Sequence, residues 1–129
     1  MVIDSNTYPD VLLVRLSGSA SWESVRDWLA ELENVPAYRE ANDAIFDLSE
    51  VELSNLSQAE VRRIVQGLRG REGRGPTRVA YVVAGELGFG ILRMFASLAD
   101  MQVRRTRSVC RSTADALAWL QASPERTDA

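Results

Sequence analysis

The chain has 129 residues, 46% of them hydrophobic, and a formal net charge of −3. That length supports one hydrophobic core and not two, so a single domain is expected over residues 1–122, followed by a frayed tail over 123–129. There is no histidine, and all fifteen basic residues are arginine, which removes Ser-His-Asp triads, histidine metal ligands, Walker lysines and Schiff-base lysines from consideration.

In chain order, Met1 to Asp4, the turn-prone Ser5 to Asp10 and the apolar Val11 to Ser17 predict a β-hairpin. Gly18-Ser19-Ala20 breaks the second strand, and Ser21 is placed to cap a helix that ends near Asn34, before Pro36. Trp22, Val25, Trp28, Leu29 and Leu32 share one arc of that helix, which marks its core face. Ala44 to Leu48 predicts a short strand ending at Asp47, and Ser49 to Leu56, small and acidic, predicts a loop. Ser57-Gln58-Ala59-Glu60 has the form of a capping box, in which Ser57 accepts from the third helical N–H and Glu60 reaches back. Val61, Ile64, Val65 and Leu68 then face inward, and Gly70 to Pro76 ends the helix in an exposed basic loop.

Arg78 to Met101 is the stretch around which the rest is arranged. Val79 to Ala84 reads as a buried strand, Gly85, Gly88 and Gly90 as a tight turn, and the residues after them as a helix of unusual hydrophobicity. Ile91, Leu92, Phe95, Leu98 and Ala99 fill one arc, and at about 1.5–3 kcal/mol per buried large side chain that arc alone accounts for a core helix. Gly90, Met94, Ser97 and Met101 form a second stripe that needs a ligand, a partner or a neighbouring helix to cover it. Gln102 to Cys110 predicts a last strand, and Ser112 or Thr113 caps a final helix carrying Ala116, Leu117, Trp119 and Leu120. The order ββαβαβαβα implies an α/β fold with a single mixed, mostly parallel sheet of about five strands flanked by four helices.

Charge is strongly segregated. Residues 19–60 hold ten acids against Arg26 and Arg39, whereas residues 61–111 hold eleven arginines against Glu72, Glu86 and Asp100. In a domain that is acidic overall and has no aromatics interleaved with its arginines, this pairs two halves of one fold better than it binds nucleic acid. No apolar stretch reaches the roughly 18–20 residues of a membrane span, and no leader pattern opens the chain. A lone cysteine, Cys110, fits a reducing compartment, so a cytoplasmic protein is expected, with Cys110 a small buried hydrophobe in a strand.

Ligands of open parallel sheets bind outside the carboxyl ends of the strands, which here carry Asp47, Ser49, Gly85, Glu86 and Gly88. The glycine-rich segment matches neither a dinucleotide fingerprint nor a Walker sequence, and Glu86 would repel a phosphate. Asp47 and Glu86 make a catalytic or metal-binding pair only if they converge. Arg93 is read either as a partner for an anionic ligand group or as a salt-bridge partner of Asp100, and Phe89 beside it as a contact residue.

Four blocks resemble the SpoIIAA-like family of STAS/SEC14-type domains: Leu16-Ser17-Gly18; Ala44-Ile45-Phe46-Asp47-Leu48; Arg78 to Val83 with Gly88 to Phe95; and Ala116 to Leu120. The resemblance implies a mixed sheet flanked by helices. It further implies either an apolar ligand beside the helix at residues 88–101 or a regulatory role like that of anti-sigma-factor antagonists. Those antagonists are phosphorylated on a serine where this chain has Leu56, within Asn55-Leu56-Ser57-Gln58, so the phosphorylation switch is not expected and Ser57 reads as a helix cap. The first functional expectation is a non-enzymatic module without cofactor or metal, binding a small apolar or amphipathic ligand through Phe89, Gly90, Arg93, Met94, Phe95 and Ser97. The alternative is a protein-interaction domain using Asp47, Ser49, Asn55 and Ser57 toward a regulatory protein, with a homodimer as the third way to cover the second stripe.

Overall fold

The computed structural model describes residues 1–71, 75–102 and 105–122. The expected tail over 123–129, the middle of the basic loop at 72–74, and residues 103–104 of the last predicted strand lie outside the described residues. The elements are β1 (Val2–Asp4), β2 (Val11–Ser19), α1 (Trp22–Leu32), α2 (Pro36–Glu40), β3 (Asp43–Glu52), α3 (Gln58–Arg69), β4 (Arg78–Val82), α4 (Glu86–Asp100), β5 (Thr106–Cys110) and α5 (Thr113–Ala122).

The five strands form one sheet in the order β1-β2-β3-β4-β5, in which β1 pairs antiparallel with β2 and the remaining pairs are parallel. Because consecutive parallel strands are neighbours, right-handed crossovers place all the connecting helices on one face. Side-chain alternation along the strands divides the core accordingly. Leu12, Val14, Ala44, Phe46 and Val79 pack with Leu32 of α1 and Tyr38 of α2. Leu13, Ile45, Ala80 and Val82 turn the other way and pack with Ala116 and Leu120 of α5. Cys110 lies in this second cluster, and burial pushes its thiol pKa up, as suits a packing residue.

Three features depart from the expected elements. A fifth helix, α2, begins at Pro36, because proline, which stops a helix from within, is well suited to the first turn of the next one. The strand at Asp43 runs to Glu52 instead of stopping at Leu48, and β2 runs to Ser19. Between the pairs Arg15↔Asp47 and Ser17↔Glu50, β3 carries one extra residue, a bulge. That extra residue keeps Val51 on the same face as Phe46 and Leu48, where strict alternation would turn it away. Finally, α4 starts at Glu86, so Gly88 and Gly90 lie inside the helix and only Gly85 forms the turn. Gly85 has φ of +78°, a conformation side chains disfavour.

The helix caps are those the sequence predicts, with one rearrangement. Ser21 accepts from the Ser24 N–H, Ser57 from the Glu60 N–H and Ser112 from the Asp115 N–H. Glu60 does not reach back to Ser57; its Oε2 accepts from the Trp22 N–H at 2.8 Å. The start of α1 has unsatisfied N–H groups and a positive dipole end that outcompete the local partner. Nearby, a Cβ on Gly67 would stand 2.1 Å from the Trp22 ring, so a glycine lets α3 pass beneath it. Two pairs of the segregated charges join α1 to α3 and the residues just beyond them, Glu23 with Arg63 at 2.9 Å and Glu33 with Arg71 at 2.6 Å, and a third, Asp43 with Arg78 at 2.7 Å, joins β3 to β4 on the face that α5 covers.

Candidate functional site

Between the helical face of the sheet and the layer of α1, α3 and α4 lies a hollow of about 110 Å³, partly open to solvent. The sheet contributes Leu16, Phe46 and Tyr81, and the bulged end of β3 adds Leu48 and Val51. Three helices close it, through Val25 and Trp28 of α1, Ile64 of α3, and Ile91 and Phe95 of α4. An aromatic ladder stiffens the floor: Phe46 stacks on Tyr81 with centroids 5.9 Å apart, and Tyr81 meets Phe95 edge-on at 5.7 Å. Arg105, just before β5, is the charged group in the wall among the described residues.

This position follows from the topology. A crevice at the carboxyl ends opens where strand order reverses and helices depart to opposite faces. Here the parallel strands run β2-β3-β4-β5 without reversal, so no such crevice forms and space is left between layers. A second hollow, of about 330 Å³, lies at the amino ends of β2 and β3, with Ser5, Asp10, Glu40 and Asn42 in its mixed wall. Its buried carboxylate, Asp43, is already bound bidentately by Arg78.

Of the six residues expected to hold a ligand, Phe95 lines the interlayer hollow. It does so with Ile91 and Leu92 of the first arc, not with the second stripe. Met94 is half-buried against the core of the helical layer, and Gly90 and Ser97 are exposed on α4. Met101, at the end of that stripe, is 82% exposed. Phe89 and Arg93 belong to a separate surface group. The Arg111 guanidinium lies 3.9 Å from the Phe89 ring centroid, Arg93 lies 5.9 Å from it, and Arg111 is ion-paired with Glu86. Asp100, the expected alternative partner of Arg93, is taken by Arg107 at 3.1 Å.

The four interaction-loop residues lie along the end of β3 and the segment leading into α3. Asp47 accepts from both the N–H and the hydroxyl of Ser49, at 3.0 and 2.7 Å, and its second oxygen is 3.8 Å from Arg15. Asn55 is exposed, and Ser57 is exposed and occupied as a cap. Asp47 and Glu86 are thus engaged by different arginines. Among the described residues no group of three or more acidic or cysteine side chains could hold a metal ion, and no helix is long and apolar enough to cross a membrane.

Sequence reasoning did not single out Leu48, Val51, Leu53, Leu56 or Arg105 as lining a site, yet all five do. A signal for the leucines and valine was present, since four large apolar residues within the supposed loop Ser49 to Leu56 and its flank are more than an exposed loop carries. Arg105 stood undistinguished within a run of arginines.

No family model and no curated protein matches the sequence. Among solved structures, the chain is similar to an uncharacterised protein of the DUF3478 family with a SpoIIAA-like fold from Shewanella loihica PV-4. The two are 22% identical and superpose with a TM-score of 0.55 over 92% of each chain. The protein therefore has the SpoIIAA-like fold: a single mixed, mostly parallel five-stranded sheet with five helices.

Proposed function

We propose that the chain is a non-enzymatic binding module whose ligand, small and apolar or amphipathic, sits in the hollow between the sheet and α1, α3 and α4. The observation that carries this reading is the hollow itself: about 110 Å³ with a wall of aliphatic and aromatic side chains. Protein interiors are packed to crystal-like density and leave few voids larger than a water molecule. An unfilled hollow of this size forfeits dispersion contacts along its whole wall, and an occupant restores them. Phe95, the one expected ligand residue in the wall, would then touch the ligand.

The test is thermal unfolding with a neutral aromatic probe, toluene. Ligand that binds only the folded state stabilises it by about 2.7 kcal/mol at one hundred times its Kd, so saturating toluene raises Tm. Val25→Phe places a ring into the hollow from α1; its own Tm equals or exceeds that of the unsubstituted protein, and toluene no longer raises it. A toluene response that is the same with and without the added ring would overturn the proposal, as would no response in the unsubstituted protein.

A further inference from the structure

We infer that Arg105 selects the ligand's head group, and that the occupant of the hollow is a monoanionic amphiphile, a carboxylate on a short alkyl or aromatic tail. This deepens the proposed binding function and rests on it. The wall of the hollow is apolar until Arg105. Immediately beyond, a narrow crevice shares Leu29, Leu68 and Arg105 with the hollow and adds Glu33, Tyr38, Arg71 and Arg107. The environment therefore changes from hydrocarbon to ionic across one side chain, which is the polarity profile of a carboxylate with a tail.

The crevice is built to hold that guanidinium in place. Tyr38, fully buried, is hydrogen-bonded to Arg105, and burial pushes the Tyr38 hydroxyl pKa up, so it stays protonated. Glu33 is held by Arg71 at 2.6 Å, and Arg107 by Asp100 at 3.1 Å. With Asp100 counted, three guanidiniums stand against two carboxylates, Glu33 and Asp100, a net positive balance that favours an anion. Arginine matches carboxylate geometry through paired N–H donors, a match a neutral hydroxyl cannot reproduce. Volume bounds the tail: a cavity of about 150 Å³ accepts benzene, so about 110 Å³, partly open to solvent, admits a short tail and not a long acyl chain. Arg93, the arginine of the helix itself, stands outside this wall against Phe89.

The experiment compares hexanoate with hexan-1-ol, which have six-carbon chains and differ in head-group charge, by NMR titration of the full chain at pH 7. The expected result is hexanoate binding at least tenfold tighter than hexan-1-ol. In Arg105→Gln that preference falls to about twofold or less while hexan-1-ol affinity is retained, and Arg105→Lys, which conserves the charge, keeps part of it. Equal binding of the two compounds by the unsubstituted protein, or a preference undiminished in Arg105→Gln, overturns the inference and leaves the binding function standing. If the glutamine variant does not fold, the ratio in the unsubstituted protein decides the anion preference, and a fall in that ratio in Arg105→Lys, whose ammonium lacks the paired donors, assigns it to Arg105. Binding of neither compound removes the hollow as a ligand site and the inference with it.

Discussion

Asp43→Ala is expected to lower the free energy of unfolding by about 3–5 kcal/mol, the cost of leaving one member of a buried ion pair uncompensated. Asp43 and Arg78 stand opposite each other in register on β3 and β4, with side chains 4% and 8% exposed. The guanidinium meets the carboxylate through two parallel bonds, Nε to Oδ1 at 2.9 Å and Nη2 to Oδ2 at 2.7 Å. The same Nη2 donates to the Leu120 carbonyl at 3.0 Å, and the Trp119 ring lies 5.9 Å from the guanidinium carbon. One cation thus joins the sheet to the last turn of α5, where the helix dipole presents its negative end. Alanine at 43 strands that cation in a nearly dry site. The double variant Asp43→Leu/Arg78→Met, which removes both charges, is expected to recover most of the loss. Urea unfolding of the three proteins checks this, and a loss below about 1 kcal/mol in the single variant would show that the pair is not the clasp described.

Phe95→Ala is expected to cost about 3–5 kcal/mol as well, by a different mechanism and with a functional consequence. Phe95 is buried, meets Tyr81 edge-on and forms part of the wall of the hollow. Truncation removes the contact with the aromatic ladder and enlarges an existing void, so the transfer and cavity contributions add. If the hollow is the binding site, the variant accepts naphthalene, which the unsubstituted protein excludes by size, and recovers part of its lost Tm when naphthalene is added. Calorimetry with and without naphthalene separates the two effects. A variant destabilised as stated but indifferent to naphthalene would keep Phe95 as a core residue and deny it a part in binding.

The sheet and most helices were legible because they rest on local signals. Val11 to Val14, Ala44 to Phe46 and Val79 to Val83 are continuous apolar runs, as strands covered on both faces require. Ser21, Ser57 and Ser112 announce helix starts that the structure contains. The misreadings arise where a local signal has two meanings. Pro36 ends one helix and opens another, and the acidic and small residues after Leu48 look like a loop until β2 is found beside them, bulge included. Glu60 has a partner nearby in sequence and prefers one thirty-eight residues away.

The candidate site was legible only in part, because a void is a property of assembled volumes and leaves no mark in any one segment. The helical wheel separates Ile91, Leu92 and Phe95 from Gly90, Met94, Ser97 and Met101, and it is silent on whether neighbouring helices fill the space facing the first set. They do not, and the space remains on the inner side of α4. For the same reason Arg93, within the conspicuous helix, drew attention in the sequence, whereas Arg105 reaches the hollow only because β5 is placed beside β4.

The most direct test of ligand binding between the layers is methyl NMR on leucine, isoleucine and valine side chains during titration with a small apolar compound. Saturable shifts at Leu16, Leu56, Ile64 and Ile91, with Leu13, Ile45 and Leu120 on the opposite face of the sheet unmoved, are the predicted result. Shifts confined to exposed Leu87 and Val2, or none that saturate, would contradict it.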